Sequence, residues 1–178
     1  MRLSPGTPAP SFSVTDFNGS PVSLSDFRGR KLLLSFYRYA SCPFCNLRMH
    51  EMCQRSAGWK AQGLDVVAVF QSPVSSIREY AVGETVEFPV IPDPERQLYA
   101  LYGTEASWLA FAKSAVRAKD MLTALTKGFM PGKMEGEVSQ VPADFLIDEN
   151  GIIRTAYYGA DIGDHLPTEQ IEAFLAKR

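Results

Sequence analysis

Two uninterrupted apolar runs separated by a helical stretch constrain the fold of this chain more than any other feature. Residues 31–38 read KLLLSFYR and residues 64–70 read LDVVAVF. Strands that are apolar along most of their length are typical of parallel sheets, because helices cover both faces of such sheets. Residues 46–63, between the two runs, have a helical pattern that ends at a glycine. The sequence therefore predicts parallel strands joined by a right-handed crossover helix.

Further strands and helices are predicted on both sides of this unit. We expect an N-terminal β-hairpin that turns at Asn18-Gly19, and a second hairpin at 144–158 followed by a C-terminal helix capped by Thr168. The other predicted elements are a third strand at 88–91, helices at 73–80, 94–102 and 104–127, and a flexible connector at 128–136. This order predicts a single α/β domain, 1–178, with a three-layer α/β/α architecture, a mixed central sheet and a helical insertion at about 104–137.

The composition excludes several classes of protein. A net charge of −2 provides no basic face to collect phosphates, so we expect no nucleic-acid partner. No apolar run approaches the roughly 20 residues that span a bilayer, and residues 1–10 lack the apolar core of a secretory signal. We therefore expect no membrane partner and a cytoplasmic location. In that compartment a close pair of cysteines is more often catalytic or metal-binding than structural.

The motif Cys42-Pro43-Phe44-Cys45 stands where the first buried strand passes into a helix. Pro43 suits the first helical position, so Cys42 lies near the N-cap and Cys45 one turn inside the helix. Free backbone N–H groups and the positive end of the helix dipole favour a thiolate at Cys42. We therefore predict that Cys42 is a nucleophile and that Cys45 resolves a mixed disulfide or a sulfenic acid formed on it.

Other interpretations of the cysteines compete with this one. A zinc site needs four ligands, and only Cys53, His50 and His165 remain to complete it. Cys53 lies eight residues beyond Cys45, about 12 Å along a helix, which is poor geometry for one tetrahedral ion. We expect no metal, no cofactor, a core position for Cys53 and no catalytic role for either histidine. Two inert, buried cysteines at 42 and 45 remain an alternative.

Three segments of the chain resemble a known superfamily. Residues 22–45 (VSLSDFRGRKLLLSFYRYASCPFC), 88–103 (FPVIPDPERQLYALYG) and 141–159 (VPADFLIDENGIIRTAYYG) are similar, in order, to landmarks of the peroxiredoxins and thioredoxin-like redoxins. The pattern F-Y-R-x-x-x-C-P-x-C at 36–45 resembles the peroxiredoxin-like AhpC/TSA group most closely. This resemblance implies a thioredoxin-like fold with an N-terminal hairpin and an insertion.

The resemblance also implies an activity, namely thiol-dependent reduction of a hydroperoxide. Cys42 would attack the peroxide, become a sulfenic acid and form a disulfide with Cys45, which an external thioredoxin- or glutaredoxin-like dithiol would reduce. The family places an arginine on a late strand beside the thiolate and the peroxide, and Arg154 matches that position. A solvated strand residue is the competing interpretation of Arg154. Arg38, four residues before Cys42, is a second candidate source of positive charge.

Several positions depart from the peroxiredoxin pattern P-x-x-x-[TS]-x-x-C. Tyr39 stands where the peroxide-binding hydroxyl residue is expected, and Ser35 stands where the proline is expected. We hypothesise that Tyr39 donates the hydrogen bond instead. Val141-Pro142 resembles the X-cis-Pro element of disulfide reductases, which packs against the C-x-x-C and exposes a backbone edge to a partner peptide, although Pro142 could equally start a strand.

Two alternative functions therefore stay open. One is thiol–disulfide exchange with a protein disulfide as substrate, and the other is a redox sensor without fast catalysis. The apolar residues of the insertion are a hypothetical homodimer face or substrate wall.

Overall fold

The computed structural model describes residues 1–81, 86–113 and 117–177. The strands in this part of the chain are β1 (Ser13–Thr15), β2 (Pro21–Ser23), β3 (Lys31–Phe36), β4 (Leu64–Phe70), β5 (Val90–Pro92), β6 (Ala143–Ile147) and β7 (Ile153–Tyr158). The α-helices are α1 (Pro43–Ala61), α2 (Val74–Ser76), α3 (Gln97–Leu101), α4 (Trp108–Lys113), α5 (Ala118–Thr126) and α6 (Thr168–Ala176). A 3₁₀ turn at Leu24–Phe27 and a π turn at Ile77–Ala81 complete the described elements.

The central sheet is mixed, as predicted. Its strand order is β5-β4-β3-β6-β7, in which β3 runs parallel to β4 and antiparallel to β6. Strands β1 and β2 form a separate two-stranded sheet, which is the predicted N-terminal hairpin. The helix α1 carries the chain from β3 to the parallel neighbour β4. The start of α1 therefore lies at the carboxyl end of a central strand, where open α/β sheets commonly form their sites.

Alternate side chains of β3 and β4 point to opposite faces of the sheet, so both faces are covered. On one face α1 and α6 pack through Leu33, Val66, Phe70, Met49, Met52, Trp59, Ile171 and Phe174. On the other face α3 and the hairpin pack through Leu32, Leu34, Phe36, Val67, Val69, Leu98, Tyr99, Tyr102, Phe12 and Val22. Burial of each large apolar side chain contributes about 1.5–3 kcal/mol, so these two layers hold the start of α1 firmly. The predicted three-layer arrangement is confirmed.

The helix bounds differ from the predictions in places. The helical pattern at 104–127 forms two helices, α4 and α5, and residues 114–116 lie outside the described residues. The C-terminal helix begins at Thr168 itself, with Pro167 at the N-cap, so the prediction that Thr168 caps it is wrong. The Thr168 hydroxyl donates to the Glu51 carboxylate instead. Among the described residues, no helix combines the length and apolarity needed to cross a bilayer.

A buried, hydrogen-bonded carboxylate lies between the sheet and the helix layer. Asp144 on β6 accepts hydrogen bonds from the Ser35 hydroxyl and from the Leu166 N–H (2.7 Å), and its Oδ2 lies 3.1 Å from His165 Nδ1. Burial raises the pKa of Asp144, but the charge and hydrogen bond of His165, with smaller contributions from Arg48 and Ser35, bring it below its usual range. Sequence reasoning gave His165 no role because its partner lies 21 residues away in the chain.

We expect Asp144→Asn to lower the free energy of unfolding by about 3 kcal/mol at pH 7, because it removes a charged acceptor from a buried hydrogen-bond network. The folded-state pKa of Asp144 is lowered, so its contribution is fully present above the unfolded value of about 3.9 and is lost as the pH falls through the folded value. Urea unfolding of wild type and variant should show a constant difference from about pH 7 to 5 that shrinks below about pH 4. Asp120→Asn, which removes an exposed partner of Arg117, is the control and should cost no more than about 1 kcal/mol. A wild-type–variant difference that stays constant from about pH 7 down to about pH 2 would contradict this account.

Candidate active site

The Cys42-Pro43-Phe44-Cys45 motif occupies the junction between β3 and α1. Cys42 is the N-cap residue in an extended conformation (φ −75°, ψ 120°), and Pro43 is the first residue of the helix, as predicted. The Cys42 carbonyl accepts the N–H of Asn46 at 3.0 Å, which is the first hydrogen bond of the helix. Both motif cysteines are completely buried, and both are free thiols.

Arg38 contacts both sulfurs. Its Nη1 donates to Cys42 Sγ at 3.2 Å, and its backbone N–H donates to Cys45 Sγ at 3.4 Å. Its Nη2 donates to the Val138 carbonyl. The guanidinium carbon lies 4.8 Å from the centre of the Tyr39 ring and 5.6 Å from that of Phe111, distances at which cation–π attraction operates.

The two thiols have opposite pKa shifts. Burial raises the pKa of Cys42, but the Cys45 thiol, the charge of Arg38 and the amide N–H groups of Cys45 and Phe44 together lower it to about 6. Burial, together with the hydrogen bond and charge of Cys42, raises the pKa of Cys45 well above its usual range. At neutral pH the pair therefore consists of a Cys42 thiolate and a Cys45 thiol, which supplies one nucleophile and one proton donor.

The segment between α3 and β6 covers this pair. The Ser41 hydroxyl donates to the Lys133 carbonyl, and a Cβ on Gly132 would lie 2.9 Å from Ser41 Cβ, so only glycine permits this close approach without a shift. Val138 and Phe111 contact Arg38 from the same segment. The predicted flexible connector at 128–136 is thus in contact with the active-site loop. On the opposite side the Ala40 N–H donates to the Ser72 hydroxyl at 2.9 Å.

The other predicted residues of the motif region join the same cluster. Tyr39 is buried and contacts Arg38 through its ring, and burial raises its pKa. Phe44 is also buried, and a Cβ on Gly163 would lie 3.4 Å from its ring. The structure therefore brings together Arg38, Tyr39, Cys42, Pro43, Phe44 and Cys45. Cys53 is half-buried and packs against the core, with its pKa raised by burial.

Arg154 does not join this cluster, so the prediction that it supports Cys42 is wrong. Ile153 pairs with Ile147, and Ile147 pairs with Leu32 at the start of β3. Cys42 follows the other end of β3, and the four steps along the strand from Leu32 to Phe36 alone span about 13 Å. Arg154 is half-exposed and binds Asp148 at 2.7 Å. The resemblance places Arg154 on a late strand, and Arg154 does lie on β7. The pairing register, however, places it at the end of the sheet opposite to Cys42.

Val141 and Pro142 lie at the same end of the sheet as Cys42, because β6 begins at Ala143 opposite Phe36. All described peptide bonds are trans, so the predicted X-cis-Pro element is wrong and Pro142 simply precedes a strand. The Val141 N–H donates to the Glu105 carbonyl at 2.9 Å, and Ala106 forms an antiparallel bridge with Gln140. The chain's own residues 105–107 therefore occupy the backbone edge that a partner peptide would use.

Sequence reasoning missed the Val138 carbonyl and the Ser72 hydroxyl. A backbone acceptor carries no side-chain signal, and Ser72 contacts Ala40 from 32 residues away in the chain. In the sequence, Ser72 and Pro73 predict only the start of a helix. No local pattern could have identified either contact.

A cysteine with a lowered pKa at a helix N-cap, beside a second thiol one turn inside that helix, defines a thiol-based oxidoreductase of the thioredoxin-like fold. The family model described as "AhpC/TSA family" matches residues 5–156. The chain belongs to the AhpC/TSA family.

Individual relatives agree with this family. A Mycobacterium tuberculosis protein described as a peroxiredoxin is 27% identical over 93% of this chain and 91% of its own length. Peroxiredoxin Bcp of Escherichia coli is 29% identical over 57% of this chain and 65% of its own. A crystal structure from Chlorobium tepidum, described as a thiol:disulfide interchange protein DsbE, superposes with a TM-score of 0.63 at 25% identity, covering 98% of this chain and 99% of the other.

The contact between Arg38 and Cys42 yields a direct prediction. In a Cys45→Ser, Cys53→Ser background, Arg38→Met should raise the pKa of Cys42 by about one to three units, because the nearest positive charge is lost. Titration of the thiolate by its ultraviolet absorbance measures this shift. Arg154→Met is the matched control and should leave the titration unchanged. The reverse pattern would restore Arg154 to the site and refute the role given to Arg38.

Proposed function

We propose that this protein reduces hydroperoxides, with Cys42 as the attacking thiolate and Cys45 as the resolving thiol. The Cys42 thiolate attacks the terminal peroxide oxygen, the O–O bond breaks, and the alcohol or water leaves after taking up a proton. The Cys42 sulfenic acid then condenses with the Cys45 thiol and releases water. An external dithiol reduces the resulting disulfide in a two-electron exchange and becomes a disulfide itself.

The contact of Arg38 Nη1 with Cys42 Sγ at 3.2 Å is the observation that carries this proposal. A guanidinium fixed beside the sulfur keeps it ionised, and it can also stabilise the negative charge that develops on the departing oxygen. Arg38 is 1% exposed, so water screens this charge little. Tyr39, whose ring lies against Arg38, is a further group that can meet the peroxide.

Access to the thiol favours a small substrate over a protein disulfide. The Cys42 sulfur is completely buried, whereas attack on a protein disulfide requires a large surface to approach it. Disulfide reductases that use β-strand addition need a free backbone edge, and residues 105–107 already pair with residues 139–141. The C-x-x-C dithiol and the DsbE-like neighbour support disulfide exchange as the second candidate.

Several finer parts of the proposal stay predictions. The reductant is expected to be a thioredoxin- or glutaredoxin-like dithiol protein, the location to be cytoplasmic, and the chain to form one domain that can pair as a homodimer. Residues 104–137 are proposed to be an insertion in that domain, with the function of closing the site.

Stopped-flow oxidation of the reduced protein tests the proposed function. With hydrogen peroxide and an alkyl hydroperoxide, Cys42 should oxidise at least about 100-fold faster than free cysteine, which is the effect of one preorganised charge donor. Cys42→Ser should abolish the fast phase. In Cys45→Ser the reaction should stop at a sulfenic acid that a dimedone probe labels.

Two outcomes would refute the peroxidase function. Oxidation at the rate of free cysteine, together with rapid reduction of insulin disulfides, would establish disulfide exchange. Oxidation at that rate without insulin reduction would leave the redox-sensor interpretation.

A further inference from the structure

The orientation of the Arg38 guanidinium depends on very few contacts. Its side chain donates to the Cys42 sulfur and to the Val138 carbonyl, and its Nε is buried without a partner among the described residues. The rings of Tyr39 and Phe111 restrict its plane but supply no acceptor. The hydrogen bond to the Val138 carbonyl therefore fixes the direction of Nη2, and Nη1 then faces the Cys42 sulfur.

Gln71, at the end of β4, holds the residue that precedes Val138. Its Nε2 donates to the Glu137 carbonyl at 2.8 Å, and its Oε1 accepts the Glu137 N–H at 3.1 Å. The same Nε2 lies 3.3 Å from the Glu135 carbonyl. A side-chain amide that bonds both the N–H and the carbonyl of one residue fixes the position and the orientation of the backbone at that residue. Gln71 is 1% exposed, so water does not compete for these bonds.

The backbone of Gln71 binds Arg38 as well. The Gln71 N–H donates to the Arg38 carbonyl at 3.2 Å. The contacts thus close a ring that runs from Arg38 to Val138, along the chain to Glu137, across to Gln71 and back to Arg38. Through this ring, the position of Gln71 affects the guanidinium both by way of the Arg38 backbone and by way of the Val138 carbonyl.

The turn that Gln71 holds is built for a close approach. Gly136 has a φ of +61°, and a Cβ at this position would lie 2.9 Å from the side-chain amide of Gln71. Glycine tolerates both the left-handed backbone and the short distance. Beyond the turn, the Glu137 carboxylate accepts the Ser139 N–H at 3.0 Å, and Arg96 donates to Gln140. Residues 135–140 are therefore fixed along their whole length.

We propose that Gln71 is a positioning residue that, by clamping Glu137, presents the Val138 carbonyl to Arg38 and so aligns the guanidinium with the Cys42 sulfur. This role rests on the proposed function of Cys42, and it gives the segment between α3 and β6 a part in the chemistry besides covering the site. The residue acts only through Arg38, because none of its described hydrogen bonds goes to either sulfur.

The test replaces the amide by a side chain of similar size. In the Cys45→Ser, Cys53→Ser background, Gln71→Met should raise the pKa of Cys42 by about one unit, since a misdirected guanidinium stabilises the thiolate less. Thiolate absorbance and the pH dependence of alkylation by iodoacetamide both report this value. At a pH equal to the Cys42 pKa of that background, the thiolate fraction should fall about fivefold.

Ser76→Ala is the matched control. The Ser76 hydroxyl donates to the Glu135 side chain at 2.7 Å, so it ties the same turn without holding the backbone of Glu137. We expect its removal to leave the pKa of Cys42 unchanged. Gly136→Ala is a second variant that disturbs the clamp from the other side, and it should raise the pKa in the same direction as Gln71→Met. It keeps the test decisive if Gln71→Met does not fold.

A double-mutant cycle with Arg38→Met separates positioning from a general structural effect. When Arg38 is absent, Gln71→Met should cause no further change in the pKa of Cys42. An unshifted pKa in folded Gln71→Met, or an equal shift with and without Arg38, would overturn the proposal. These readouts need no peroxide, so a protein that fails as a peroxidase can still confirm or refute the role of Gln71.

Discussion

The Arg38 guanidinium and the Cys42 sulfur meet at 3.2 Å in a region of the structure that is closed to water. Removing two charges from water costs several kcal/mol for each ion, and their mutual attraction offsets this cost only when the remaining polar groups also find partners. Here the thiolate accepts the amide N–H groups at the start of α1, and the guanidinium donates to the Val138 carbonyl and contacts two aromatic rings, although its Nε has no partner among the described residues. The ion pair is therefore stable only as part of the whole set of contacts.

Each neighbouring part of the fold supplies one member of that set. Strand β3 ends at Phe36, so the loop that follows places Arg38 and Cys42 on the same turn, four residues apart. Helix α1 supplies the N–H groups, and the residue directly after β4 is Gln71. The segment between α3 and β6 supplies the Val138 carbonyl and Phe111. The ion pair in turn separates the acidities of the two cysteines, because a stable Cys42 thiolate makes ionisation of Cys45 more costly.

The parts of this arrangement that the sequence could predict are those that depend on neighbours in the chain. Apolar runs identified the central strands, and the C-x-x-C spacing beside Pro43 placed one cysteine at the N-cap and the other one turn inside. Arg38 could be named as a candidate because it precedes Cys42 by four residues. Arg154 was misplaced because a strand's position in sequence does not give its register, and register decided which end of the sheet it occupies. The pair of Asp144 with His165 and the clamp from Gln71 to Glu137 join distant segments, so no local periodicity could indicate them.

A C-x-x-C dithiol at a helix N-cap serves both peroxide reduction and disulfide exchange. The two reactions are therefore distinguished by how accessible the sulfur is to each substrate. Exchange with a protein disulfide requires an exposed sulfur and a backbone edge on which the partner can align. In this chain the sulfur lies beneath Arg38 and the segment between α3 and β6, and the Glu105 carbonyl and the Ser107 N–H already bond to that edge. A partner peptide would have to displace these hydrogen bonds before it gained its own, whereas a hydroperoxide needs only a path to one atom. The segment between α3 and β6 thus both completes the electrostatics of Cys42 and covers its sulfur.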